Sequence, residues 1–125
     1  MNTTAIRYHQ YGKALEVLTC ETLPVPEPKA GQVWVRMLAA TIHPSDIGMI
    51  LGNYGRLRRL PAIAGREGVG EIVKVGRDCR LREGQRVRFP QEAGSWQTLA
   101  VVPEEELQII PQDIPAKIAA MCFIN

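Results

Sequence analysis

Two stretches of this 125-residue chain gather side chains able to do chemistry. The first, HPSDIGMILGNYG, carries His43, Ser45, Asp46, Asn53 and Tyr54; the second, GREGVG, carries Arg66 and Glu67. A phenol carries an O–H that both donates and accepts hydrogen bonds, which makes Tyr54 a candidate for chemistry. The same residues also describe a surface turn, because Gly52, Asn53 and Gly55 around Tyr54 fit any tight loop. Ser45 and Asp46 likewise suit the start of a short helix as well as they suit a substrate contact. In GRLRRL, Arg56, Arg58 and Arg59 fall together, which reads either as an anion-binding patch or as a solvated face. Trp96 reads as barrel packing rather than as a ligand platform.

Short strands must hold these residues. Eleven Gly and nine Pro punctuate the whole chain instead of clustering in a linker. Strands are expected at 3–9 and at 16–23, the latter with Val17, Thr19 and Glu21 on one face. The clearest strand begins at Gly31, where Val33, Val35 and Met37 alternate with Trp34, Arg36 and Leu38. Pro44 opens a helix with Ile47, Ile50 and Leu51 at helical spacing, and Gly52 ends it. Further strands are expected at 66–75, in QRVRF, at 95–102 and at 107–110, before a last helix from Pro115. Many short strands with turn chemistry between them make the expected fold mainly β: a small, partly open β-barrel with short helices.

Composition narrows the function classes. Hydrophobic residues are 46% and charged residues 22%, the balance of a globular domain. A net charge of +2 is too mild to argue for nucleic acid. No apolar run nears the ~20 residues of a membrane span, and the first residues lack a signal-peptide pattern, so the cytoplasm is the default location. Cys20, Cys79 and Cys122 lie far apart, without a CxxC pair, which excludes a disulfide framework and a zinc ribbon. Gly65-x-x-Gly68-x-Gly70 has the wrong spacing for a dinucleotide fingerprint and runs into a strand, so it reads as a bulge or a close backbone contact.

Taken together, AATIHPSDIGMILGNYG, PAIAGREGVGEIVKVG and GQRVRFPQEAGSWQTLAVVPEEELQIIPQDIP resemble one family. It is the N-terminal GroES-like catalytic domain of the medium-chain dehydrogenase/reductase superfamily. Within it the chain looks most like zinc-independent, mitochondrial-type 2-enoyl-CoA or enoyl-acyl-carrier-protein reductases, which have PSD-helix-GNYG, GxEGV and GxWxT elements. The resemblance implies a GroES-like domain over residues 1–114. It makes 115–125 the start of a helix leading toward a cofactor-binding Rossmann domain, absent from this chain. It also implies NADPH as cofactor of the full-length enzyme, not expected to bind these 125 residues, which are expected to be inactive alone.

What the resemblance implies for the site follows residue by residue. Zinc-dependent relatives place a Cys where this chain has His43 and a His where it has Arg66; Glu67 alone matches. A fixed guanidinium repels Zn²⁺, and two ligands fall short of the three a catalytic zinc needs, so no metal is expected. The enoyl reductases carry Asn in place of His43, which leaves His43 as a polar wall of the active site or a structural hydrogen-bonder. Tyr54 takes the proton-donor role, with His43, Ser45, Asn53 and Arg66 as substrate or active-site wall and Asn125 toward the cofactor. Arg56, Arg58 and Arg59 would meet the phosphates of coenzyme A or an acidic acyl carrier protein, unless they are plain surface.

The expected function is thus the catalytic lobe of an NADPH-dependent oxidoreductase that reduces the C=C bond of 2-enoyl thioesters, a reaction of fatty acid metabolism. The alternatives are a quinone oxidoreductase-like or generic alkene reductase lobe, or a truncated non-catalytic binding module. The last helix would leave Ile118, Met121, Cys122, Phe123 and Ile124 uncovered, so a homodimer or other self-association is expected.

Overall fold

Alternating β-branched residues place the strands. The computed structural model describes residues 1–122, so Phe123, Ile124 and Asn125, with the expectations attached to them, lie outside the described residues. The chain runs through β1 (Asn2–Tyr8), a single helical turn α1 (Ala14–Val17), β2 (Leu18–Pro24) and β3 (Gln32–Ala40). It continues through α2 (Pro44–Leu51), β4 (Ala62–Ile63), β5 (Gly68–Val75), β6 (Arg86–Arg88), β7 (Leu99–Pro103), β8 (Gln108–Ile109) and α3 (Ala116–Ala119).

Two antiparallel sheets result, one ordered β2-β1-β4 and the other β7-β3-β5-β6-β8. A bridge between Ala5 and Gln97, with the Ile6 N–H donating to the Trp96 carbonyl at 2.9 Å, joins them into a partly open barrel. Val33, Val35, Ile72, Val87 and Phe89 fill its centre, and each is essentially inaccessible to solvent. Tyr8, Val17, Ile50, Ala62 and Ala64 form a second cluster that seats α2 on the three-stranded sheet. Val69 and Ile110 with Ala119 and Ala120 seat α3 on the other end. Burying such side chains is worth about 1.5–3 kcal/mol for each large one, which is what holds helices this short.

The local differences from expectation have physical causes. Residues 14–17 coil into α1 because the Lys13 carbonyl accepts the N–H groups of both Glu16 and Val17, letting Val17 reach the core beside Tyr8. The strand expected at 95–102 joins its sheet only from Leu99, because 95–98 is the crossing between sheets: the Thr98 N–H serves Thr4 while its carbonyl serves Met37. The two-residue strand β4 carries no sequence signal at all; Pro61 precedes it, and its pairing with Arg7 and Tyr8 alone defines it. The glycine-rich entry to β5 is a close contact, as expected. A Cβ at Gly70 would come 2.3 Å from the Val35 side chain, and the β3–β5 register shifts twice nearby.

On the outer face of the small sheet, Glu21 collects Thr19 Oγ1 at 2.6 Å, His9 Nε2 at 2.7 Å and Arg7 Nη1 at 3.3 Å. The Thr19 hydrogen bond first, then His9 and Arg7, hold its carboxyl down from the usual 4.5 to about 2. A depressed carboxylate stabilises the fold above its unfolded pKa and loses that contribution as pH falls through the folded one. Glu21→Gln should therefore lower the urea midpoint at pH 7. The gap from the parent should close between pH 4.5 and 2, and a gap that persists at pH 2 would refute the ionic origin.

Candidate active site

Helix α2 sets the geometry. Its first turn is fixed by Asp46, whose Oδ2 accepts the His43 N–H at 2.7 Å, and by Pro44 at the first helical position. Gly52 ends it in the left-handed conformation at φ 94°, and its N–H returns to the Gly48 carbonyl. The chain then folds Tyr54 back along the helix. A Cβ at Gly48 would sit 2.7 Å from that of Tyr54, so the glycine leaves the room the tyrosine occupies. Tyr54 remains 49% exposed, and among the described residues its hydroxyl has no hydrogen-bond partner.

Opposite α2 stand the consecutive residues Arg66 and Glu67. They follow Gly65, whose φ of 100° and contact with Ser95 and Trp96 admit no side chain. Arg66 Nη1 donates to Ser45 Oγ at 2.8 Å, and its guanidinium carbon lies 5.9 Å from the centre of the Tyr54 ring. Tyr54 and Arg66 line a cavity of about 70 Å³ whose wall also includes Met49 and Gln91. A phenol O–H and a cation facing one small space make a site suited to an oxygen that becomes negative.

His43 belongs elsewhere. Its Nε2 lies 2.7 Å from Glu67 Oε2, in a pair whose imidazole and carboxylate are 11% and 1% exposed. Its other neighbours are Thr41, Ile42, Lys117, Ile118 and Met121, around a separate cleft of about 470 Å³ between the end of β3 and α3. The expected site residues thus divide between two places: Tyr54, Arg66 and Ser45 in one cluster, His43 in the other cleft. Asn53 is exposed beside Tyr54 and donates no side-chain hydrogen bond among the described residues. The sequence marks Glu67 only as the one match to a zinc-ligand position; the structure makes it the buried partner of His43.

Among the described residues neither a zinc site nor a dinucleotide site is complete. For zinc, His43 and Glu67 are bonded directly to each other, Arg66 is turned to Ser45, and the described residues hold no group of three His, Cys, Asp or Glu able to take a metal. For a dinucleotide, every strand pairing among the described residues is antiparallel, and a glycine-rich strand-to-helix turn for its phosphates is missing from them.

The arginine cluster needs a correction to both of its sequence readings. Arg58 is neither a phosphate ligand nor a solvated charge. Its guanidinium donates to the carbonyls of Ile63 and Gly65 at 2.6 Å each and of Gln91 at 2.7 Å, and burial pulls its pKa down. Arg56 and Arg59 are exposed.

A partly open antiparallel barrel with a capped helix and a glycine-rich strand entry beside its cleft is the architecture of a GroES-like domain. The sequence matches the alcohol dehydrogenase GroES-like domain over residues 29–112, and the chain belongs to that family. It is 44% identical over 97% of its length to the mitochondrial enoyl-acyl-carrier-protein reductase of Mus musculus, of which it covers 33%. Among solved structures it resembles a protein assigned as an NADPH:quinone reductase of Bacillus thuringiensis, with 34% identity and a TM-score of 0.90. That likeness covers 99% of this chain and 38% of the other. It also resembles Etr1p, solved in complex with NADP and crotonyl-CoA, with 26% identity and a TM-score of 0.81 over 89% of this chain and 34% of the other. The chain spans about a third of the length of the curated relatives it matches. No helix of the described residues is long and apolar enough to cross a membrane.

Proposed function

We propose that the chain is the substrate-side lobe of an NADPH-dependent reductase acting on the C=C bond of 2-enoyl thioesters. The observation that carries this reading is the pairing of the Tyr54 phenol with the Arg66 guanidinium at one small cavity. Reduction of an enoyl thioester adds a hydride at the β-carbon and a proton at the α-carbon, while negative charge develops on the thioester oxygen. NADPH, held by residues outside this chain, supplies the hydride. Tyr54 donates toward the enolate, directly or through a water. Arg66, held by Ser45, adds a fixed positive charge beside the ring and stabilises the developing oxyanion. Asn53, exposed next to Tyr54 in the chain, is assigned to the active-site wall by the resemblance alone. His43, tied to Glu67, forms the polar wall of the second cleft, with Asn125 assigned to the cofactor side by the resemblance alone. The likeness to enoyl-acyl-carrier-protein reductases supports the substrate class.

The domain division follows the same reading: 1–114 is the catalytic lobe and 115–125 the lead toward the cofactor domain. Ile118 and Met121, 49% and 48% exposed, are the surface we assign to self-association. The compartment proposed is the cytoplasm by default; the mitochondrial label is that of the relatives. A quinone reductase lobe is the second reading, favoured by the Bacillus likeness; the Tyr54–Arg66 pair supports the first.

Titration decides between an active lobe and a separate module. The 125-residue chain should show no measurable affinity for NADPH, while a longer product containing it should reduce crotonyl thioesters in preference to quinones. Tight NADPH binding by the short chain, or quinone preference in the long one, would overturn this reading.

A further inference from the structure

The edges of the two sheets are unequal. β4 and β8 have two residues each and β7 has five, whereas β2 has seven. Among the described residues β2 pairs only with β1, in a register that runs from Asn2 opposite Pro24 to Tyr8 opposite Leu18 without a shift. Long sheet edges are ordinarily blunted by a bulge, a lysine or an internal proline. β2, LTCETLP, has none of these. Its one proline is its last residue, and its one charge, Glu21, is already held by Arg7 and His9.

The hydrogen bonds of β1 fix which groups of β2 face outward. Thr4 and Ile6, opposite Thr22 and Cys20, spend their N–H and C=O groups on the far side of β1. Thr4 exchanges with Thr98, while Ile6 donates to Trp96 and accepts from Ala64. Bonded positions alternate along an antiparallel pair, so Cys20 and Thr22 turn their N–H and C=O groups away from β1. The Leu18 carbonyl points the same way, and its N–H is taken by the Ala14 carbonyl. Cys20 and Thr22 are both exposed.

Such an edge fits a strand whose free groups share its two-residue period. We propose that β2 pairs antiparallel with β2 of a second copy of this chain, about a two-fold axis at Cys20. In that register the two Cys20 residues exchange both backbone bonds, and each Thr22 N–H donates to the Leu18 carbonyl of the other copy. Glu21 then stands opposite Thr19, whose hydroxyl already donates to Glu21 within one chain at 2.6 Å. An axis at Glu21 would set two carboxylates against each other, and an axis at Thr22 would set Glu21 against Leu23. The two-fold closes on itself and leaves β2 no edge for a third copy. This surface is separate from α3, and so narrow a ribbon makes a dimer that dissociates on dilution.

Amide hydrogen exchange of the 125-residue chain at ~10 μM and ~1 mM reads the pairing residue by residue. At the higher concentration the Cys20 and Thr22 amides should slow about tenfold or more. Those of Thr19, Glu21 and Leu23, already bonded to β1, should change much less. With Cys79 and Cys122 changed to serine, mild oxidation should join two copies through Cys20, whose Cα atoms would lie about 5.5 Å apart. Thr22→Pro removes an outward N–H without touching a bond to β1, and Thr22→Lys adds a charge at the edge. Each should weaken the dimer about tenfold or more by light scattering. A monomer at ~1 mM, unchanged exchange at Cys20 and Thr22, or a dimer indifferent to both Thr22 variants would overturn the proposal; in the last case the contact lies on α3. Protection without the Cys20 cross-link would overturn the register.

Discussion

Tyr54→Phe in the full-length enzyme should lower turnover of a crotonyl-type thioester about 100-fold or more while leaving the fold intact. The ring fills the space left by Gly48 and faces Arg66, and phenylalanine keeps both relations. What it loses is the O–H, which bonds to nothing else among the described residues and so contributes little to stability. The loss should fall on kcat more than on KM, since the donor acts as charge develops rather than in the ground state. Near-normal turnover would remove Tyr54 from the mechanism. Unchanged melting is the control that separates lost chemistry from lost structure.

The largest effect on stability is expected from Arg58→Ala. One guanidinium ties the carbonyls of Ile63 and Gly65, at the end of β4 and just after it, to that of Gln91 on a distant segment. The backbone of Arg58 is itself held by the Tyr11 hydroxyl at 2.6 Å. Removing the side chain leaves several acceptors without donors, each costing about 1–3 kcal/mol where water cannot enter. A loss of about 3 kcal/mol or more is expected, or a fall in Tm of roughly 10 °C. Lysine keeps the charge but lacks the planar fork, so Arg58→Lys should recover only part of it. A change in Tm within about 2 °C for the alanine variant would refute the spanning role.

Arg58 also shows where sequence reading stops. In GRLRRL three arginines look alike, because composition reports charge and says nothing of which carbonyls converge on it. The convergence comes from the crossing of residues 58–65 with residue 91, a long-range contact that no local pattern encodes. Helix α2 was legible, since Pro44, the Ile47–Ile50–Leu51 spacing and Gly52 are local chemistry. β3 was legible for the same reason, through the alternation of Val33, Val35 and Met37 with Trp34, Arg36 and Leu38. β4 was not, because its two residues have no period and exist as a strand only against β1. Within the site, Tyr54 and Arg66 were picked out separately, and their adjacency follows from Gly48 and Gly65, glycines whose reason is a neighbour far away or folded back. Glu67 was recognised as a residue and missed as a partner, because its pairing with His43 joins positions 24 apart.

Arg66 and Glu67 are bonded to each other and grip the start of α2 through residues 45 and 43 respectively. A single peptide link, ~3.8 Å from Cα to Cα, therefore joins the residue that faces Tyr54 to the residue that holds His43. For anyone re-engineering the protein, that dipeptide is the smallest inheritable unit. Exchanging one of its residues without the other retunes a space it does not touch, and libraries that vary the two positions independently will sample mostly mismatched halves.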